Sequence, residues 1–205
     1  MKKLDLLITG VGGQGVVLAS DITIEAALAA GYDVKKTDTL GMAQRGGSVV
    51  SHVRISHRVR SPLIKEGEAD ILVAFEKLEA ARWGHYLRPG AIVVVNDYVL
   101  PPLSVNLGNE RYPSDEEITD ILKQRAARIY FVDGTSLVRE LGNPKTLNMF
   151  MLGCISLFLP LKVHTWKDSI SQHIPPATRQ ININAFNQGR KEIRGIRSTH
   201  WRNCG

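Results

Sequence analysis

LLITGVGGQGVVLASDI, residues Leu6–Ile22, runs from an apolar stretch through a glycine cluster into an apolar pattern of helical period. Leu6, Leu7 and Ile8 read as a strand, and from Val16 the period changes to that of a helix. Between them Gly10, Gly12 and Gly15 stand at GxGxxG spacing, with Gly13 as a fourth glycine and Gln14 as the only polar side chain. Glycines let a backbone turn with positive φ and let another group approach the main chain. The N–H groups of Gly13, Gln14 and Gly15 would then lie at a helix N-terminus, where orphan donors and the macrodipole favour an anion such as phosphate. A close strand-to-helix packing turn explains the same glycines, and the spacing alone does not separate the two.

Composition narrows the classes. A chain of 205 residues with 43% hydrophobic and 22% charged residues can bury one substantial core and is not of the disordered type. The net charge of +6 would point to nucleic acid if it were spread over the surface. Five Lys and Arg against one Glu, however, fall between Arg190 and Gly205. We therefore expect a near-neutral domain, residues 1–191, a basic C-terminal tail, 192–205, and no nucleic-acid partner. Cys154 and Cys204 are too few for a zinc or iron–sulfur site, so no metal site is expected. The apolar run of MKKLDLLITG is broken too early for a signal peptide, and that around Met149 falls short of the roughly 20 residues that span a bilayer. A cytoplasmic chain with no membrane partner is expected.

Strands and helices alternate along the sequence. Val16–Ala30 reads as a helix, and Tyr32–Asp38 as a second strand that would bring Asp38 to its carboxyl end, where an acid can grip a ribose. LGMAQRGGS, Leu40–Ser48, sets Gln44 and Arg45 beside Gly46 and Gly47. A guanidinium next to two unobstructed backbone positions can fork a phosphate or carboxylate. Ser48–Ser56 alternates as a half-buried strand with His52 and Arg54 on its polar face, and a turn into Val59 and Arg60 would complete an inserted hairpin. ILVAF and AIVVV fit parallel strands covered on both faces, with a helix from Glu76 to about Leu87 between them. Glu76, Asn96 and Asp97 then lie at the carboxyl edge, where ligands collect.

Beyond a proline-rich segment with a short strand around Ser104–Leu107, Ser114 or Asp115 caps a helix to about Arg128, and Ile129–Val132 is a strand. Asp133 opens a short helix, and helices over Lys145–Leu159, Thr165–His173 and Thr178 to about Ile196 finish the chain. The expected fold is α/β, a Rossmann-like, mostly parallel sheet with flanking helices, an inserted β-hairpin and a helical C-terminus.

There is no GxSxG elbow, GxxxxGK[ST] loop or HExxH pair, and the six histidines are scattered, so no catalytic residue is assigned. Taken in order, GVGGQGVVLASDI, GMAQRGGSVVSHVRIS, EADILVAFEKLEAAR, LRPGAIVVVND and PPATRQININAFNQGR resemble the gamma-type domain of 2-oxoacid:ferredoxin oxidoreductases. Their spacing is most similar to the beta-subunit branch acting on indolepyruvate, and GGQG followed by RGG carries more of the likeness than either motif alone. The final GIRSTHWRNCG has no counterpart in it.

The resemblance implies oxidative decarboxylation of an aryl pyruvate, with coenzyme A as co-substrate, to acyl-CoA, carbon dioxide and reduced ferredoxin. It implies a larger partner subunit holding thiamine diphosphate, Mg and iron–sulfur clusters, none of them in this chain, which would be inactive alone and would reach ferredoxin through the complex. Gly10, Gly12, Gly13, Gln14, Gly15, Arg45, Gly46 and Gly47 become the cofactor-binding or interface residues. The partner would meet the apolar helix Lys145–Leu159 and the hairpin around Arg54, and without it the chain would self-associate into a homo-oligomer. Two other readings stand beside this one. One is a free-standing NAD-dependent Rossmann oxidoreductase using Gly10, Gly12, Gly15 and Asp38; the other is a non-catalytic binding or assembly subunit.

Overall fold

The computed structural model describes residues 3–41 and 47–200, with side chains as far as Ile196. The glycine stretch folds as expected: strand β1, Leu4–Val11, a tight loop, and helix α1, Val16–Ala29. Strand β2, Asp33–Leu40, and strand β3, Ser48–Ser56, follow as a hairpin. Next come β4, Ala69–Ala74, helix α2, Lys77–Trp83, and β5, Leu87–Asn96. A short helix α3, Leu103–Asn106, then α4, Asp115–Lys123, leads to the last strand, β6, Ala126–Val132. Four helices close the chain: α5, Gly134–Glu140, α6, Leu147–Ile155, α7, Val163–His173, and α8, Pro176–His200.

The strand order is β2-β3-β1-β4-β5-β6. Strands β1, β4, β5 and β6 are parallel neighbours, and β3 runs antiparallel to both β1 and β2. Alternation along each strand divides the core. Leu6, Ile8, Val73 and Val94 pack with α1, α5, α6, α7 and α8, whereas Leu7, Leu72, Val93 and Val95 pack with α2 and α4 on the other face. Parallel strands need such cover on both sides, which is why ILVAF and AIVVV are continuously apolar.

Several boundaries differ from the sequence reading for physical reasons. The inserted hairpin is made by β2 and β3, with Leu40 opposite Val49, and Val59 and Arg60 are not in a strand. Nor is β3 half-buried. His52, on its supposedly polar face, is 2% exposed under the rings of Trp83 and Tyr86. Arg54 reaches Asp5, which is fully buried, with its Nε 3.0 Å from Oδ1, and its Nη1 donates to the Leu63 carbonyl at 2.8 Å. Ser104–Leu107 forms helical structure, not a strand. The helix after Glu76 stops at Trp83, and that after Ser114 at Lys123, because Leu87 and Ala126 already begin strands. All nine residues of α6 are buried within the chain, so this helix is core and offers no free docking face. Helix α8 runs past Lys191 without a break and buries Ile193. Among the described residues no helix is long and apolar enough to cross a membrane.

Candidate functional site

Gly47, the last glycine of the second motif, meets the glycine loop at the carboxyl end of β1. Antiparallel pairing brings Ser48, the first residue of β3, opposite Val11, and the Gly12 N–H donates to the Gly47 carbonyl at 2.9 Å. Arg45 and Gly46 lie outside the described residues. Gly13 and Gly15 adopt φ of 101° and 84°, the left-handed region where a side chain is strained, so the loop geometry itself requires glycine there. Gly15 is also the N-cap of α1 and offers no side-chain cap. Among the described residues nothing accepts from the N–H of Gly13, Gly15 or Val16, leaving donors at the positive end of a 14-residue helix.

Gln14 points inward. Its Oε1 accepts from the Val11 N–H at 2.7 Å and its Nε2 donates to the Phe75 carbonyl at 3.2 Å, while its own N–H donates to the Val11 carbonyl. The side chain thus ties the loop to the end of β4, and one of the three expected anion donors is already engaged. A methyl at Gly10 would lie 2.7 Å from Gln14 Oε1, so the first glycine of the motif makes room for this brace. The polar residues at the neighbouring strand ends are likewise used within the fold. Asn96 donates to Phe75 and Thr135 and accepts from the Thr135 N–H, fixing the start of α5 beside the loop. Glu76 caps α2, accepting from the Glu79 N–H, and also takes the Leu100 N–H and the Tyr112 hydroxyl. Burial, together with that buried acid, pushes the Tyr112 phenol well above its usual range. Asp97 pairs with Lys77.

Asp38 is not at this site. Strand β3 lies between β2 and β1, which sets Asp38 two strands away, about 10 Å at ordinary strand spacing. Its carboxylate accepts from the Ser51 hydroxyl at 2.6 Å and pairs with Lys36 at 2.9 Å. Asp38, the ribose ligand of the NAD-dependent reading, therefore does not stand at the glycine loop.

Beside the loop opens a cleft of about 420 Å³. Gly13 and Gly15 form one side, and Tyr98, Arg139, Lys145 and Asn148 also line it. Among the described residues neither Arg139 nor Lys145 has a carboxylate partner, and no carboxylate lines the cleft. No group of three or more potential metal ligands is found among the described residues. Cys154 is buried, and burial raises its thiol well above the normal range, so it is a packing residue.

Residues 5–192 match the pyruvate ferredoxin/flavodoxin oxidoreductase family. The chain belongs to that family. It is 37% identical over 202 residues to the indolepyruvate oxidoreductase subunit IorB of Thermococcus kodakarensis, covering 96% of this chain and all of the relative. Two solved structures share its fold. The gamma subunit of a keto/oxoacid ferredoxin oxidoreductase from Geobacter sulfurreducens superposes with a TM-score of 0.70 at 20% identity, over 94% of this chain and 99% of its own. A 2-oxoglutarate:ferredoxin oxidoreductase from Magnetococcus marinus, with 2-oxoglutarate, coenzyme A and succinyl-CoA bound, gives 0.73 at 19% identity, over 95% of this chain and 32% of its own.

The protein is thus a subunit of the 2-oxoacid:ferredoxin oxidoreductase type. In this oxidoreductase subunit Arg139, Lys145 and Asn148 escaped the sequence reading, since each sits in or beside a helix with no motif of its own. The packing of α5 on α6, and of α6 on β5, carries these residues to the glycine loop.

Proposed function

We propose that the chain is the smaller subunit of an indolepyruvate:ferredoxin oxidoreductase, acting with a larger subunit that carries thiamine diphosphate, Mg and iron–sulfur clusters. In this role its glycine edge holds the phosphate-bearing part of coenzyme A while the partner performs the decarboxylation. The observation that carries the reading is the Gly12–Gly47 bond, which brings Gly47, the last residue of the RGG motif, onto the GGQG loop, on a chain 37% identical to an archaeal indolepyruvate subunit along its length. The chemistry of the cleft supports it. Backbone donors and unpaired cations can bind and orient an anion, and the described residues pair no acid with a base there. Gly10, Gly12 and Gln14 keep the loop in shape, and Gly13 and Gly15 supply donors.

The partner would seat on the segment after β5. Leu103 and Leu107 are 71% and 66% exposed one helical turn apart, with Val99 and Leu100 exposed beside them in sequence. Tyr98, on the same segment, lines the cleft, so a subunit seated here would also close over the glycine edge. Co-expression with the larger subunit, followed by assay with coenzyme A and ferredoxin, tests the proposal. Indolepyruvate should give a higher kcat/KM than pyruvate or 2-oxoglutarate. A preference for either of those, or failure of the two chains to co-purify, would overturn it.

A further inference from the structure

The edge of the sheet opposite the glycine loop carries a separate basic pocket. Ser56 ends β3 there, and the loop that follows sets Arg58 and Arg60 on either side of Val59. Val59 is buried, and its N–H donates to the Asp33 carboxylate at 2.6 Å. Further on, Arg54 Nη1 donates to the Leu63 carbonyl at 2.8 Å, and the buried Ile64 donates its N–H to His52 at 3.3 Å. The loop is thus fastened at three points, which fixes the backbone beneath both exposed arginines. With Lys3, Arg54, Ser56 and Ser61 they line a pocket of about 150 Å³ that no carboxylate of the described residues enters. Two of its four cations are neutralised within the fold, Lys3 by Asp5 and Glu68, and Arg54 by Asp5. Among the described residues Arg58 and Arg60 have no carboxylate partner. Two like charges held over one concavity repel, and an anion between them would turn that repulsion into attraction.

We infer that this pocket binds a single phosphate group, free or as a monoester, gripped by the guanidinium groups of Arg58 and Arg60 with the Ser56 and Ser61 hydroxyls as further donors. Ser61 Oγ already accepts from the Leu63 N–H at 3.4 Å, which leaves its proton to donate. Charge decides among the anions. A phosphate monoester carries nearly two negative charges at neutral pH and three strong acceptor oxygens, matching two unpaired forks and two hydroxyls, whereas a carboxylate would balance one fork alone. The pocket is smaller than sites that enclose a whole cofactor, so the phosphate is the part held and the rest of an ester would lie outside. Lys3 precedes β1 and the glycine loop follows it, which sets the two places roughly 25 Å apart at ordinary strand rise. The pocket is therefore separate from the glycine edge, and the inference does not rest on the proposed function.

The test is an amide-resolved NMR titration of the full chain at neutral pH and constant ionic strength. The probes are inorganic phosphate, glycerol 3-phosphate and acetate. Both phosphates should move the amide signals of residues 58–61 saturably, and acetate should not. Arg58→Ala with Arg60→Ala should weaken both phosphates at least about tenfold. Arg58→Lys with Arg60→Lys, which keeps the charges but loses the forks, should fall between. Both positions are exposed, so the Tm of each variant should stay near that of the parent. Tighter binding of glycerol 3-phosphate would mark an esterified phosphate as the ligand, and tighter binding of inorganic phosphate the free ion; either order supports the site. It is overturned by shifts that acetate reproduces, by signals that move only around Gly13–Val16, by the absence of saturable shifts, or by an affinity unchanged in the alanine pair. A hexaglutamate peptide that displaces phosphate at a lower concentration than phosphate itself requires would reveal a surface for an acidic protein and overturn the phosphate assignment.

Discussion

Gly153 on α6 and Gly189 on α8 let the two helices cross backbone against backbone. A methyl at Gly153 would overlap the Phe186 carbonyl, and one at Gly189 would overlap the Phe150 carbonyl. The Cys154 thiol donates to the Gly189 carbonyl at 3.4 Å in the same seam. Helix α6 in turn presents Asn148 to the cleft, so the crossing sets where that amide stands. In an exposed helix, glycine to alanine stabilises by about 1 kcal/mol. Here the sign should reverse, because the helices must separate, at a typical overpacking cost of roughly 1–3 kcal/mol. Denaturant midpoints of Gly153→Ala and Gly189→Ala should both fall; a rise in either would show that the crossing is looser than described.

His52 should make stability depend on pH. Burial, opposed in part by the charge of Asp38, lowers its folded pKa below 6.5, and its Nδ1 accepts from the Ile64 N–H at 3.3 Å, as a neutral ring does. Below the unfolded value the unfolded chain binds a proton that the folded chain resists, so stability is full above about pH 6.5 and declines as the pH falls toward the folded pKa. Urea midpoints between pH 7.5 and 5 should show this decline. His52→Asn should flatten it, and an identical slope in that variant would remove His52 as its source.

Gln14 offers a sharper probe of the loop. Gln14→Glu keeps the acceptor for Val11 but replaces the donor to the Phe75 carbonyl with a carboxylate oxygen. Loss of this satisfied, partly buried contact costs roughly 1 kcal/mol or more. Repulsion raises the folded pKa of the new acid, so this deficit should shrink as the pH falls and protonation restores a donor. Thermal melts at pH 7.5 and 4.5 would show it, and a deficit independent of pH would mean that Gln14 does not face Phe75.

The glycine stretch was legible because strand, loop and helix occupy one short segment whose periods change at the glycines. Chemistry that depends on distant pairing was not. Alternation in β3 gave its two faces correctly, yet Trp83 and Tyr86, some thirty residues on, turn the polar face into interior and bury His52. The place of β3 between β1 and β2 has no local signal either, and it alone separates Asp38 from the glycine loop. Continuous apolar character in Leu147–Ile155 marks burial, but whether this chain or another covers it is settled by the glycines of the α6–α8 seam.

Leu103 and Leu107 test where the partner seats. Both are largely exposed, so Leu103→Asp and Leu107→Asp should change the stability of the isolated chain by less than about 0.5 kcal/mol. If they are central contacts of the interface, each should weaken association with the larger subunit by roughly 30-fold, the scale of a hot-spot residue. Titration of the labelled chain with its partner measures this directly. Undiminished affinity in the double variant would move the interface elsewhere.

Arg45 bears on the ligand at the glycine edge. Its own position is outside the described residues, but the Gly12–Gly47 bond holds the end of its loop against the GGQG turn. A guanidinium in that loop can add a charge-assisted fork to donors already supplied by Gly13 and Gly15. Such a contact is worth about 1.5–3 kcal/mol, so Arg45→Ala in the assembled enzyme should raise the KM for coenzyme A by roughly 10- to 150-fold. The KM for the 2-oxoacid should move much less, since the partner binds that substrate in the proposed complex. Steady-state kinetics with each substrate varied in turn separates the two effects. Equal increases in both would indicate a disturbed subunit contact, and an unchanged coenzyme A dependence would remove Arg45 from the phosphate site.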